Sequence, residues 1–210
     1  MTIRVGFLLL LVSILGCEET KPSLVQMNPR IADFQIRRVA ILPFEDAPGE
    51  NKDDHWDGVS HVWIFARDTG QIVSDVFTTE MMRISCFDYM ERSQIRRVLQ
   101  EQSLTMTTLV KEKTAAEIGE ILGADAIILG SVSSMCRWYG WAGQGCTAFF
   151  TVRMVETKGG TVLWSATANG RTHEHSDQIR LVRDLSSQIA QELRAKTEPG
   201  SVGQPEPARK

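Results

Sequence analysis

Ala124–Ser131 (ADAIILGS), followed by Thr147–Val155 (TAFFTVRMV), Lys158-Gly159-Gly160 and Thr161–Ala168 (TVLWSATA), decides the fold class. The first run is densely apolar and short, as a buried core strand is. The second alternates, with Phe149 and Phe150 among polar neighbours, as a half-exposed strand does. The Gly-Gly turn then returns the chain into a third strand, which makes an antiparallel meander. Working outward, Arg37–Phe44 (RRVAILPF) reads as a buried first strand closed by Pro43. Between Arg67 and Ser85, Ile72, Val73, Val76, Phe77, Met81 and Met82 recur at helical spacing, with Asp68 and Thr69 as caps. Phe87–Arg92 reads as a short strand, and Ser93 caps a helix carrying Ile95, Val98 and Leu99. Thr114 with Glu117 gives a capping box for a helix that Gly123 stops. A last helix over Asp177–Lys196 carries Ile179, Leu181, Val182, Leu185, Ile189 and Leu193. The order β, α, β, α, α, β, β, β, α predicts a single α/β domain, a twisted mixed sheet with helices packed on it.

The N-terminus has a different character. Met1–Cys17 (MTIRVGFLLLLVSILGC) places one cation, Arg4, before an eleven-residue apolar run from Val5 to Leu15. A spanning helix needs roughly twenty apolar residues, so the run fits the core of an export signal instead. Ile14-Leu15-Gly16-Cys17 resembles the lipobox of bacterial lipoproteins, apart from Leu15, where Ala, Ser or Thr is usual. That resemblance implies cleavage after residue 16 and acylation of Cys17, such as by palmitate, so that several acyl chains hold the protein to a bilayer. Glu18 follows in place of the Asp that retains enterobacterial lipoproteins at the inner membrane, which implies an outer-membrane site facing the periplasm. Residues 17–36 then read as lipidated N-terminus and linker, 37–196 as the α/β domain, and 197–210 as a Pro/Gly-rich disordered tail.

Removing 16 of 210 residues leaves 194, enough for one domain with a substantial core. Without Arg4 the chain has 22 basic against 26 acidic residues. A mildly acidic body with no basic stripe predicts no nucleic-acid partner. With Cys17 on lipid, Cys86, Cys136 and Cys146 remain. Cys136 and Cys146 flank a Gly-rich segment, so a hairpin either closes them into a disulfide or leaves two partly buried thiols. Cys86, between Ile84-Ser85 and Phe87, reads as a small packed hydrophobe.

The lipobox, Val39–Phe44, Met90-Glu91-Arg92-Ser93-Gln94-Ile95, Ala124–Ser131 and Val162-Leu163-Trp164-Ser165 together resemble the curli-secretion (CsgG-type) lipoprotein family. The body is also similar to the N-terminal domain of TolB and to lipoprotein activators of penicillin-binding proteins. The resemblance implies an envelope protein that binds a periplasmic or outer-membrane protein partner. Its alternative is an oligomeric outer-membrane export component. The best-known members insert two long β-hairpins per subunit, whereas Ser133–Cys146 offers only fourteen residues for the first. A membrane hairpin needs two strands of about nine to eleven residues, so these long hairpins are expected to be missing. Trp138, Tyr139 and Trp141 are the candidate interface; covering a sheet edge and dipping into lipid headgroups are the other two readings of the same residues.

Catalytic motifs are weak. His55 and His61, and His173-Glu174-His175, lack the spacing of a zinc motif. Gly140, Gly143 and Gly145 are not ordered as a dinucleotide loop, and Ser131, Ser133 and Ser134 have no nucleophile elbow around them. No metal, no cofactor and no enzymatic activity are expected.

Overall fold

Two short apolar runs, Val39–Leu42 and Ala126–Leu129, are buried on both sides of one sheet, with alternate residues facing two separate cores. In the computed structural model the described residues are 21–46, 55–56, 61–64, 69–83, 87–101, 112–138, 144–172 and 178–197. In chain order the strands are β1 (Lys21–Met27), β2 (Arg38–Ile41), β3 (Glu45–Asp46), β4 (His55–Trp56), β5 (His61–Ile64), β6 (Asp88–Tyr89), β7 (Ala126–Trp138), β8 (Gln144–Glu156) and β9 (Val162–Thr172). The helices are α1 (Thr69–Met82), α2 (Arg92–Glu101), α3 (Glu112–Leu122) and α4 (Gln178–Thr197).

The sheet runs β1-β9-β8-β7-β2-β6. β2 is parallel to both β6 and β7, while β7, β8, β9 and β1 pair antiparallel. Beyond β2, the same edge of β7 is occupied by β3 at Ser131–Val132 and then by β5 at Met135–Trp138. One face is covered by α1 and α4 through Val73, Phe77, Met81, Leu181, Leu185, Ile189 and Leu193. The other is covered near β2 by α2 and α3 through Ile95, Leu99, Ile118 and Leu122. Each fully buried aliphatic side chain contributes about 1.5–3 kcal/mol, so the apolar stripes hold these helices in place.

The mixed α/β class and the meander are as expected, and several local readings change. The linker reading fails at Lys21–Met27, which is an edge strand on β9 with Val25 buried. The acidic stretch after Phe44 contributes β3 and β4, and β5 is a further short strand. β7 and β8 run well past Ser131 and begin before Thr147, and they pair over their whole lengths. α2 starts at Arg92, so Glu91 rather than Ser93 caps it, its carboxylate accepting from the Gln94 amide (3.2 Å) and from the Ser93 hydroxyl. α3 starts at Glu112, which puts Thr114 inside the helix. α1 takes its cap from a distance: the Gly70 amide donates to Asp46 Oδ1 at 2.7 Å. Gly123 does stop α3, with φ +66°.

Candidate functional site

Among the described residues, the helices leave part of the sheet bare. On the α2–α3 side the cover ends around Leu129 and Val155, both buried in that core. Beyond it Ser131, Thr151, Arg153, Ser165 and Thr167 border an open groove of about 350 Å³. The register fixes the rows: Leu129, Arg153, Ser165 and Gln26 lie across one, Ser131, Thr151 and Thr167 across the next, then Ser133, Phe149 and Asn169. Phe149 is 45% exposed in the middle of this polar surface. Ser131 Oγ and Thr151 Oγ1 are hydrogen-bonded at 2.9 Å, so the Ser131 hydroxyl is partnered by a second hydroxyl instead of a base.

Charge on this face has one sign. The three strands hold a single acid, Glu156, and both its oxygens are turned into the β8–β9 turn, accepting from the Lys158 amide (2.9 Å) and the Gly159 amide (2.6 Å). Arg153 and Arg171 are the cations of β8 and β9. A hydroxyl-rich, cation-bearing sheet face with one exposed ring suits a polar or acidic protein surface. Alternation within Thr147–Val155 already signals a half-exposed strand; the missing signal is that none of the described helices returns to cover it.

The free edge of the sheet is closed by a different device. Among the described strands β1 pairs only with β9, and at Val25 its outward amide donates to Glu192 Oε1 (3.3 Å), while Lys196 Nζ donates to the Val25 carbonyl. Glu192 and Lys196 are themselves an ion pair at 3.1 Å on α4. Edge strands left open recruit other strands, and charged side chains over the backbone prevent this.

Residues that stand out in the sequence motifs have structural work. Arg92 reaches from α2 back to α1, where it pairs with Asp75 and donates to Ser74 Oγ at 2.7 Å. Desolvation lowers its pKa, with Arg96 adding to the effect. Asp125 Oδ2 accepts from the amides of Arg38 and Arg37, both at 2.9 Å, which fastens the start of β2 to the start of β7. Those two hydrogen bonds, Arg38 first, hold its carboxyl below the usual aspartate range. The Ser93 hydroxyl does the same for Glu91.

The remaining candidates divide by position. Cys146 is buried and disulfide-bonded, its Cα register partner on β7 is Cys136, and Gln178 Nε2 donates to its sulfur at 2.9 Å. Trp138 is the last residue of β7, placed by its backbone between His61 and Gln144. Tyr139, Trp141, Cys17, Cys86, His173 and His175 lie outside the described residues. His55 and His61 sit on neighbouring strands, His55 opposite Val62. No group of three or more His, Cys, Asp or Glu able to hold a metal occurs among the described residues.

Comparison with known proteins fits this architecture. No curated protein matches the sequence. Among solved structures, a single-substitution variant of the PelC dodecamer from Paraburkholderia phytofirmans aligns with TM-score 0.53 at 12% identity, over 84% of this chain and 99% of that one. Lipoprotein GNA1162 from Neisseria meningitidis aligns with TM-score 0.51 at 16% identity, over 75% and 97%. The LpoB C-terminal domain from Salmonella enterica gives TM-score 0.40 at 11% identity, over 70% and 96%. At such identities these likenesses concern the fold. The family model described as "Curli production assembly/transport component CsgG" matches residues 19–147, more than half of the chain. The chain is therefore a member of the CsgG family.

Proposed function

We propose that this protein is a lipid-anchored lipoprotein of the bacterial cell envelope, held by Cys17 in the outer membrane facing the periplasm, and that it serves assembly or secretion by binding a partner protein. The observation that carries the binding role is the bare polar face of β7–β9, in a domain whose opposite face is covered by α1 and α4 and whose β1 edge is blocked at Val25. Family membership supports the envelope role. The lipobox-like Ile14–Cys17 supports the anchor. The fold relative that forms a dodecamer favours a second reading, in which the partner is another copy of this chain and the assembly is an export component. We further propose Cys136 as the disulfide partner of Cys146, on the strength of their shared register. Nothing in this role requires catalysis.

Affinity capture from detergent-solubilised envelope tests the reading. The full lipidated chain is expected to retain a specific protein, or itself, and Thr167→Glu, which adds an acid to the bare face, is expected to lose it. Capture unaffected by Thr167→Glu would count against the face. A Cys17→Ser chain that still fractionates with membranes would count against the anchor.

A further inference from the structure

The N-terminal end of β1, the C-terminal end of β9 and the N-termini of α1 and α4 lie at one end of the sheet. Lys21 pairs with Asn169, three residues before β9 ends at Thr172. Thr172 pairs with Cys146, whose sulfur accepts from Gln178 at the start of α4. Beside Gln178, Ile179 is 52% exposed, and Ile72 of α1 is 42% exposed. The two isoleucines share one apolar depression with Val73, Val76 and Val182. Isolated exposed aliphatics are ordinary on a protein surface, but two sharing one apolar depression form a patch. Arg171, exposed near the end of β9, adds a cation at the same end.

Chain length says what faces this patch. Cys17 precedes Lys21 by four residues, a reach of at most about 14 Å when fully extended. The Lys158–Gly160 turn is at the opposite end of β8, twelve residue steps and about 40 Å from Gln144. An acyl anchor on so short a lead brings the Ile72–Ile179 end to the bilayer surface and directs the Lys158 end away from it. The geometry points to a second, peripheral lipid contact: Ile72 and Ile179 enter the headgroup boundary of the anchoring membrane, with Arg171 beside anionic headgroups. This inference rests on the reading of Cys17 as the acylated residue. The α1–α4 end then works as a footplate that fixes how the domain stands on the membrane, where a tether alone would let it swing.

Site-specific photo-crosslinking decides it. p-Benzoylphenylalanine is placed at Ile72, Ile179 or Lys158, one at a time, in the full lipidated chain reconstituted into vesicles of phosphatidylethanolamine and phosphatidylglycerol. All three positions are exposed, so the fold tolerates the replacement. Lipid adducts several-fold more abundant from positions 72 and 179 than from 158 are expected. A chain that floats with the vesicles but gives no such excess overturns the footplate while leaving the anchor intact. Adducts from 72 and 179 to a second copy of the chain overturn it in favour of self-association. A chain that does not float at all removes the anchor, and the inference falls with it.

Discussion

Lys196 donates to the carbonyl of Val25, and Glu192, its partner one helical turn earlier, accepts from the Val25 amide, so two side chains of α4 occupy the outward backbone groups of an edge strand. A sheet edge is blocked at its middle without a further strand. Removing one such hydrogen bond from a part-buried site costs about 0.5–1.5 kcal/mol. Glu192→Ala is expected to lower stability by that amount in denaturant titration and to speed exchange of the Val25 amide. It is also expected to increase self-association of the Cys17→Ser chain, measured by light scattering. Unchanged exchange at Val25 would show that the side chain does not guard the edge.

Two glycines mark where backbone and ring come close. A Cβ on Gly130 would meet the Phe44 ring at 2.7 Å, and one on Gly70 would overlap the Phe44 carbonyl oxygen. The ring can shift and the carbonyl cannot. Gly130→Ala is expected to cost about 1–3 kcal/mol, the usual range for overpacking. Phe44→Leu should recover part of that loss in the double variant. Gly70→Ala is expected to cost more and to resist that rescue. Thermal unfolding of the four variants tests the contrast.

Asp125 gives the stability a dependence on acid pH. Its carboxyl is held low by the amides of Arg38 and Arg37, so its folded-state pKa lies below the unfolded value. The stabilisation is fully present above the unfolded value of about 3.9 and disappears as pH falls through the folded one. Asp125→Ala is expected to destabilise by about 1–2 kcal/mol at neutral pH. The gap between variant and parent should close in acid. A gap that stays constant down to that range would contradict the assignment.

Arg92 ties α2 to α1. Because Asp75 is half exposed, the pair with it should be weak, and a double-mutant cycle of Arg92→Ala with Asp75→Ala is expected to give a coupling of about 1 kcal/mol or less. Arg92→Lys should not restore the bond to Ser74, since an ammonium lacks the fork that reaches both partners.

The cysteine pairing is open to direct observation. Peptide mapping without reduction is expected to recover Cys136 linked to Cys146, with Cys86 as the free thiol. Cys136→Ser is then expected to liberate the Cys146 thiol. Linkage of Cys146 to Cys86 would refute the proposed pair.

Much of the fold is legible in the sequence because its core strands write themselves plainly. Val39–Leu42 and Ala126–Leu129 are apolar without alternation because both faces are covered, and the Gly159-Gly160 turn announces the β8–β9 hairpin. α4 is equally clear, since Leu181, Val182, Leu185, Ile189 and Leu193 of its apolar stripe are all buried. Ile179 is the exception, and its exposure, like that of Ile72 in α1, cannot be read from helical spacing, which records periodicity but not which neighbours arrive. β1 escapes sequence reading because what holds it, the ladder with β9 and the side chains of Glu192 and Lys196, is far away in the chain. The bare face is half visible: Thr147–Val155 announces one solvated side, but only the tertiary placement of α2 and α3 shows that, among the described residues, a groove stays open. The aromatic cluster at Trp138, Tyr139 and Trp141 stands out for its chemistry, whereas Thr151, Arg153 and Thr167 are ordinary residues that gain meaning only side by side.

Photo-crosslinking in living cells, from Thr167 on the bare face and from Gln191 on the outer face of α4, tests the central claim most directly. Both positions are exposed, and they lie on opposite sides of the sheet. Adducts to a protein, either a distinct partner or a second copy of this chain, are predicted from position 167 and absent from position 191. Adducts from 191 with none from 167 would rule out the β7–β9 face as the docking surface.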